Sequence, residues 1–262
     1  MTVGAQKNTL FNAFSLAEAL HHAAASGTAL DAQRWPATLT ADEVVAVQHA
    51  QAQRWGGGAD SAPVYWKSGG PARDLPLGHA PLPPARVLAS PAAMQQLPLL
   101  MRGIEAEIAL RLAHDVTAAD AASLQPGDAT GLLDAMAVSI EVVDSRWQQQ
   151  LAAPDALKAA DLLCNGALAL GDWQAYRAID WSQQRCTARV GTQALVERVG
   201  SHSLHDPAWL LPQWLRHATQ HFGTVRAGTV VTTGSWVGLL LAQAGDRVEV
   251  VFDGIGRAEL TL

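Results

Sequence analysis

Three features of the sequence predict an α+β fold. Residues 1–58 hold two helix starts with capping-box spacing, and residues 59–262 hold strands marked by period-two alternation. Strands and helices also fail to follow the regular βαβ order of a doubly wound sheet. The chain is therefore expected to comprise a helical N-terminal segment, 1–58, and a strand-rich body, 59–262.

Each element has its own signal. Ser15 and Glu18 stand at capping-box spacing before the Ala- and Leu-rich stretch Leu16 to Ala25, which Gly27 stops. Thr40 and Glu43 repeat the pattern ahead of Val44, Val45 and Val47, a second helix running toward Trp55. Gly56-Gly57-Gly58 breaks it and marks the boundary. Strands begin at Val64. Residues 71–91 are too proline-rich for a central strand or helix interior and are expected to form a long ordered loop or lid. Ile104, Ala106, Ile108, Leu110 and Leu112 then alternate with Glu105, Glu107, Ala109 and Arg111, a half-buried strand. Thr130 to Met136 reads as a helical turn or short helix before the apolar run Ala137 to Val143. Asp206-Pro207 starts a helix that Pro212 delays or kinks and Gly223 ends. The alternations Val248, Val250, Phe252 and Ala258, Leu260, Leu262 flank Asp253-Gly254 as a hairpin.

Composition narrows the function. With 262 residues, 49% of them hydrophobic, the chain can bury a sizeable core and is not disordered. Its net charge of −6 argues against nucleic-acid binding as its main work. No window is apolar enough for a membrane span, and Met1 to Phe14 has no signal-peptide core. Two cysteines, Cys164 and Cys186, are too few for a disulfide scaffold or a Cys-built zinc site, and Cys164 reads as a small buried hydrophobe. A cytoplasmic globular protein is expected. Nine Trp stand beside only two Tyr and four Phe, with Trp147, Trp209 and Trp214 expected in a core or interface.

The chemistry centres on Glu105-Ala106-Glu107. On a strand these two carboxylates project from one face. Taken alone, the pair is better explained as a solvated strand face beside Arg111. Glu141, however, interrupts an apolar run fit for a buried strand, where a lone carboxylate is costly unless paired or bound to a cation. Three converging carboxylates suit Mg²⁺ or Mn²⁺; the alternative is a Glu141–Arg146 salt bridge. Lys67, between Tyr65-Trp66 and Ser68-Gly69-Gly70, is either a shielded lysine of lowered pKa acting as base or anchor, or a strand-end lysine reaching into water. His202 and His205 sit in a Ser/Asp/Pro loop and read as surface or helix-start polar residues. No nucleophile elbow, Walker loop, H-E-x-x-H or G-x-G-x-x-G motif is present.

The segments Ile104-Glu105-Ala106-Glu107-Ile108-Ala109-Leu110 and Ile140-Glu141-Val142-Val143-Asp144-Ser145-Arg146 resemble the 2-keto-4-pentenoate hydratases and 4-oxalocrotonate decarboxylases of the fumarylacetoacetate hydrolase superfamily. The likeness continues through Ala227 to Ser235, Ala244-Gly245-Asp246 and Gly254-Ile255-Gly256, and takes in the helical start. It implies a mixed, strongly curved β-roll with the helical segment packed on it. It also implies Mg²⁺ or Mn²⁺ held by Glu105, Glu107 and Glu141, catalysis by Lys67, and substrate-carboxylate contacts from Thr233 and Ser235. The implied activity is hydration of a 2-hydroxy-dienoate to a 4-hydroxy-2-oxo acid in aromatic catabolism. Alternatives are decarboxylation or C–C hydrolysis of a related 2-oxo acid, or a non-catalytic partner subunit. A homo-oligomer, associated with a pathway decarboxylase or hydratase, is implied as well. The sequence departs from the family pattern at Tyr65-Trp66, at the proline-rich 80s, at Asp161-Leu162-Leu163-Cys164 and at Leu204-His205-Asp206-Pro207. Trp66 is thereby expected to put indole bulk beside Lys67.

Overall fold

The computed structural model describes residues 11–55, 62–125 and 127–262. The Gly56–Gly58 break, the boundary at 58 and the stretch Met1 to Leu10 lie outside the described residues. The helices are α1 (Ala13–Ser26), α2 (Ala41–Gln53), α3 (Ala118–Ser123), α4 (Asp155–Ala160) and α5 (Leu211–Phe222). The strands are β1 (Tyr65–Gly69), β2 (Gly78–Pro81), β3 (Val87–Ala89), β4 (Ala92–Ala93), β5 (Gly103–Leu112), β6 (Leu133–Val143) and β7 (Asn165–Leu170), followed by β8 (Gln174–Ala175), β9 (Arg185–Val190), β10 (Val196–Val199), β11 (Val230–Thr232), β12 (Leu240–Leu241), β13 (Arg247–Phe252) and β14 (Gly256–Thr261).

Helix α1 is capped one turn earlier than Ser15 and Glu18 suggest. Asn12 is the N-cap, and its side chain accepts from the Ser15 N–H. Gly27 ends the helix at φ 67°, as its lack of a Cβ allows. The second helix follows its signal: Thr40 and Glu43 form a reciprocal capping box on α2. Both helices contribute to a separate apolar cluster of Leu16, Leu20, Val47, Trp147 and Leu157, and α2 also contacts α4.

The larger sheet has the order β2-β1-β11-β5-β6-β7-β3, with β12 on β5 and β8 on β6. The smaller sheet runs β10-β9-β13-β14-β4, and β13 and β14 pack against β6. Pairing mixes parallel β1–β11 with antiparallel β11–β5 and β5–β6. The expected loop between Pro71 and Pro91 includes the outer strands β2 and β3, where proline leaves no central ladder bond unmade. The helical turn expected over Thr130 to Met136 is confined to a 3₁₀ segment, Asp128–Leu132, before β6 begins.

Strand β5 is more buried than its alternation suggests. Ile104, Ile108 and Leu110 enter the main core with Trp214 and Phe252, while Ala109 on the other face packs with Leu168 and Val230. Both faces are therefore covered, and only Glu105 and Arg111 reach partial exposure. Trp147 and Trp214 are core residues, as expected. Asp206 caps a 3₁₀ turn, Pro207–Leu210, and Pro212 occupies the first turn of α5, where it costs no helical hydrogen bond. The hairpin β13–β14 pairs in register from Arg247–Thr261 to Phe252–Gly256.

Arg146 does not pair with Glu141. Its guanidinium bonds Asp161, and both side chains are buried. It also donates to the carbonyls of Asp144 (2.6 Å), Asp161 (2.6 Å) and Asn165. Asp161 accepts from the Arg146 backbone N–H at 2.9 Å. Between Asp161 and Asn165 the chain turns through Leu162, Leu163 and Cys164 at φ 50°, 54° and 59°. Three consecutive left-handed non-glycine residues are costly, and the Arg146 bonds fix both ends of the turn. Asp161→Ala strands a buried guanidinium and should cost about 3–5 kcal/mol in a denaturant titration. A loss under about 1 kcal/mol would refute the clamp.

Candidate metal centre and active site

Neighbouring strands of the large sheet deliver the site. Glu105 and Glu107 leave one face of β5, and Glu141 on β6 is the direct cross-strand partner of Glu105. Ser139, two residues before Glu141, is the partner of Glu107. Strand β11 places Thr232 beside Ala109 on one side and Lys67 on the other. Ligand atoms of Glu105, Glu107 and Glu141 all lie within 4.8 Å of one another. Glu107 and Glu141 are buried and Glu105 is half-buried. A solvated strand face is therefore excluded, and Arg111 instead holds Asp134 at 2.8 Å.

Each carboxylate has defined support. The Lys67 ammonium lies 2.5 Å from Glu141 Oε1, to which Asn165 Nδ2 also donates at 2.9 Å. Thr232 donates its hydroxyl to Glu107 Oε2 and shares a 2.9 Å bond with Ser139. Glu141 Oε2 is buried without a hydrogen-bond partner. Burial, the Glu141 charge and only partial relief from Lys67 push Glu105 up to about 7. Burial, Glu141 and Glu105 push Glu107 up to about 8, against the opposing effects of Lys67 and Thr232.

Lys67 departs from the lowered pKa expected of it. Burial works to lower it, but the carboxylates of Glu141, Glu105 and Glu107 overcome burial and raise it. The lysine is a held cation, with a second bond to the Leu163 carbonyl at 3.2 Å. It neither reaches into bulk water nor stands ready as a base. The bulk expected from Trp66 is also absent from the site. As the strand neighbour of Lys67, Trp66 faces the opposite way, edge-on to Phe222 at 5.0 Å and fully buried.

The carboxylates open on a cleft of about 460 Å³ lined by Lys67, Gly69, Glu105, Glu107, Thr232 and Ser235, among others. Ser235 sits in the lining, its hydroxyl donating to the Gly238 carbonyl at 2.8 Å. The substrate contact expected of Thr233 is not what the structure shows. Its hydroxyl is buried and donates to the Ile108 carbonyl at 2.7 Å, so Thr232 is the threonine that faces the site. His202, read as a surface or helix-start residue, is 2% exposed and bonds the Thr233 carbonyl through Nε2 at 2.7 Å. Its Nδ1 accepts from Leu204 N, which makes it a neutral Nε2–H tautomer, and burial lowers its pKa to about 4. Asn165, Ser139 and Thr232 were not singled out from the sequence. Only the closeness of Thr232 to the T-T-G-S segment hinted at any of them.

The profile of the fumarylacetoacetate (FAA) hydrolase C-terminal family matches residues 45–262. The chain belongs to the fumarylacetoacetate hydrolase family. Members share the mixed, curled sheet seen here. A 4-oxalocrotonate decarboxylase from Pseudomonas putida G7, complexed with magnesium and adipate, is similar in fold with TM-score 0.77. The match is 16% identical and covers 95% of this chain and 96% of that one. A 2-hydroxyhepta-2,4-diene-1,7-dioate isomerase from Mycobacterium marinum gives TM-score 0.57 at 15% identity, over 76% of this chain and 74% of that one. A putative fumarylpyruvate hydrolase from Burkholderia cenocepacia gives 0.56 at 17%, over 78% and 95%. No curated protein sequence matches the chain. No helix among the described residues is long and apolar enough to cross a membrane.

The donor set fits a hard divalent cation such as Mg²⁺ or Mn²⁺. It is all oxygen, it converges from two strands, and it leaves one buried carboxylate oxygen without a partner. The linkage has a definite sign. Carboxylates raised to about 7 and 8 in the fold stabilise the metal-free protein fully below their unfolded value of 4.5, and that contribution is lost as pH rises through 7 and 8. Protons therefore compete with the metal. Calorimetric affinity for Mn²⁺ should rise about tenfold or more from roughly pH 6 to pH 8.5. A flat or falling affinity would contradict this arrangement.

Proposed function

We propose that this chain is a divalent-metal-dependent hydro-lyase. It adds water to a 2-hydroxy-dienoate of the 2-keto-4-pentenoate type, giving a 4-hydroxy-2-oxo acid, as in aromatic catabolism. The observation that carries the reading is three converging carboxylates, two of them lining a cleft, beside a lysine kept protonated by them. Glu105, Glu107 and Glu141 would hold Mg²⁺ or Mn²⁺, which supplies a Lewis acid for a chelated 2-oxo carboxylate.

The protein's own groups supply the rest. An ammonium has three N–H donors, and Lys67 uses two of them on Glu141 and the Leu163 carbonyl. The third is available to the cleft. There it stabilises negative charge developing on the substrate as an enolate and serves as the proton source for ketonisation. Ser235 lines the same cleft, and its hydroxyl would turn from the Gly238 carbonyl to the substrate carboxylate. Thr232 fixes the orientation of Glu107, and Asn165 that of Glu141. Thr233 serves from behind, tying β11 to β5 through Ile108.

One observation favours a second reading. Among the described residues lining the cleft, no histidine and no carboxylate outside the triad is present to take a proton from water. Decarboxylation of a 2-oxo-enedioate needs only an electron sink and a proton donor, and Lys67 is such a donor. The fold similarity to a 4-oxalocrotonate decarboxylase over both chains supports this alternative.

Incubation with 2-hydroxypenta-2,4-dienoate or 4-oxalocrotonate, with and without Mg²⁺ or Mn²⁺, separates the two. Metal-dependent formation of 4-hydroxy-2-oxopentanoate supports the hydratase. CO₂ release without water addition supports the decarboxylase, and neither product overturns both. Lys67→Ala should lower kcat by about 10²–10⁴. Retention of more than about a third of the wild-type rate would remove Lys67 from the reaction.

A further inference from the structure

The cleft adjoins a second cavity of about 610 Å³, and the two share Lys67, Pro76, Gly78, Glu105 and Leu163. The second cavity is lined by the apolar side chains of Leu77, Val143, Leu151, Leu163 and Leu239. Leu163 stands at the seam. Its backbone is held at φ 54°, and its carbonyl accepts from Lys67. Its methyl groups lie over Gly78, where an added Cβ would come within 3.0 Å of Cδ1. Glycine at 78 thus leaves room for the leucine that divides the head of the site from the cavity beyond.

The cations in this lining each have a carboxylate partner. Apart from the shared residues, the second cavity contributes one cation and one anion, Lys158 and Asp155, which pair at 2.8 Å. Lys158 also donates to the Leu151 carbonyl at 3.0 Å. Lys67 is held by Glu141 and Leu163. Among the described lining residues, the cation that the second cavity adds, Lys158, already has a carboxylate partner, and Lys67 keeps only the N–H that the head group takes. A second carboxylate entering there would give up solvation without a partner and would approach the Glu105 carboxylate.

From this juxtaposition we infer that the second cavity is the subsite for the far end of the substrate, and that it selects an uncharged aliphatic tail over a second carboxylate. The substrate class is then a monocarboxylic 2-oxo acid, or its enol, extended beyond the reacting carbons. The inference rests on the proposed function for its head group. It adds that Leu163, Leu151 and Leu239 are specificity-determining residues.

The test is binding by the full-length protein with Mn²⁺, measured by calorimetry, using oxalate as a head-group probe. It continues with 2-oxobutanoate, 2-oxohexanoate, 2-oxooctanoate and the dicarboxylate 2-oxoadipate. Oxalate should bind only with metal present. Affinity should rise roughly threefold per added methylene, and 2-oxohexanoate should bind about tenfold more tightly than 2-oxoadipate. Leu239→Lys should shift that preference toward 2-oxoadipate. Failure of oxalate to show metal-dependent binding would bring down the head-group reading, and this inference with it. Oxalate binding with no gain along the series, or with 2-oxoadipate equal or better in the wild-type protein, would overturn the tail subsite alone.

Discussion

The site is governed by an imbalance of charge inside the large sheet. Three carboxylates converge where one ammonium is available to answer them. Burial alone would drive such groups neutral. The result is a pair of glutamates raised to about 7 and 8 and a lysine whose charge is secured by its neighbours. A divalent cation removes the imbalance directly. It would turn a site of −3 carboxylate charge, offset by one lysine, into one that is near neutral. Such a site no longer repels an anionic ligand, although the whole chain carries −6.

The surroundings serve that cluster. Cross-strand register sets Glu105 opposite Glu141, so two strands rather than a loop fix the distance between them. Thr232 donates to Glu107 and Asn165 to Glu141, while Ser139 bonds the Thr232 hydroxyl. Lys67 is held from the other side by the Leu163 carbonyl, which points at it because residues 162–164 are left-handed. That turn depends in turn on buried Arg146 and Asp161. A strained backbone segment thus does two things: it orients the Lys67 ammonium and sets a leucine at the seam between two cavities.

Much of the site was legible in the sequence because period two is a strong constraint. Glu105 and Glu107 had to share a face once β5 was recognised, and Glu141 stood out as the one charge in the apolar run Ala137 to Val143. The capping box at Thr40 and the helix start at Asp206-Pro207 were equally local and equally readable. Parity could have gone further: Trp66 and Lys67 are strand neighbours, so the indole had to face away from the lysine. Other features depend on contacts distant in sequence. Whether Thr232 or Thr233 faces the carboxylates depends on the register of a three-residue strand between β1 and β5. The burial of His202 depends on the segment Thr233–Gly234 folding against it. The raised pKa of Lys67 requires knowing that carboxylates 38 to 74 positions away surround it. The partner of Arg146 was invisible for the same reason, since Asp161 is brought to it by an irregular turn.

The central claim is that Glu105, Glu107 and Glu141 together hold a divalent cation beside a protonated Lys67. Anomalous diffraction from crystals soaked in Mn²⁺ tests it most directly. The account predicts one strong anomalous peak ligated by oxygens of all three glutamates, with the Lys67 ammonium still on Glu141. A peak away from the triad, or no peak while the three carboxylates stay in place, would contradict it.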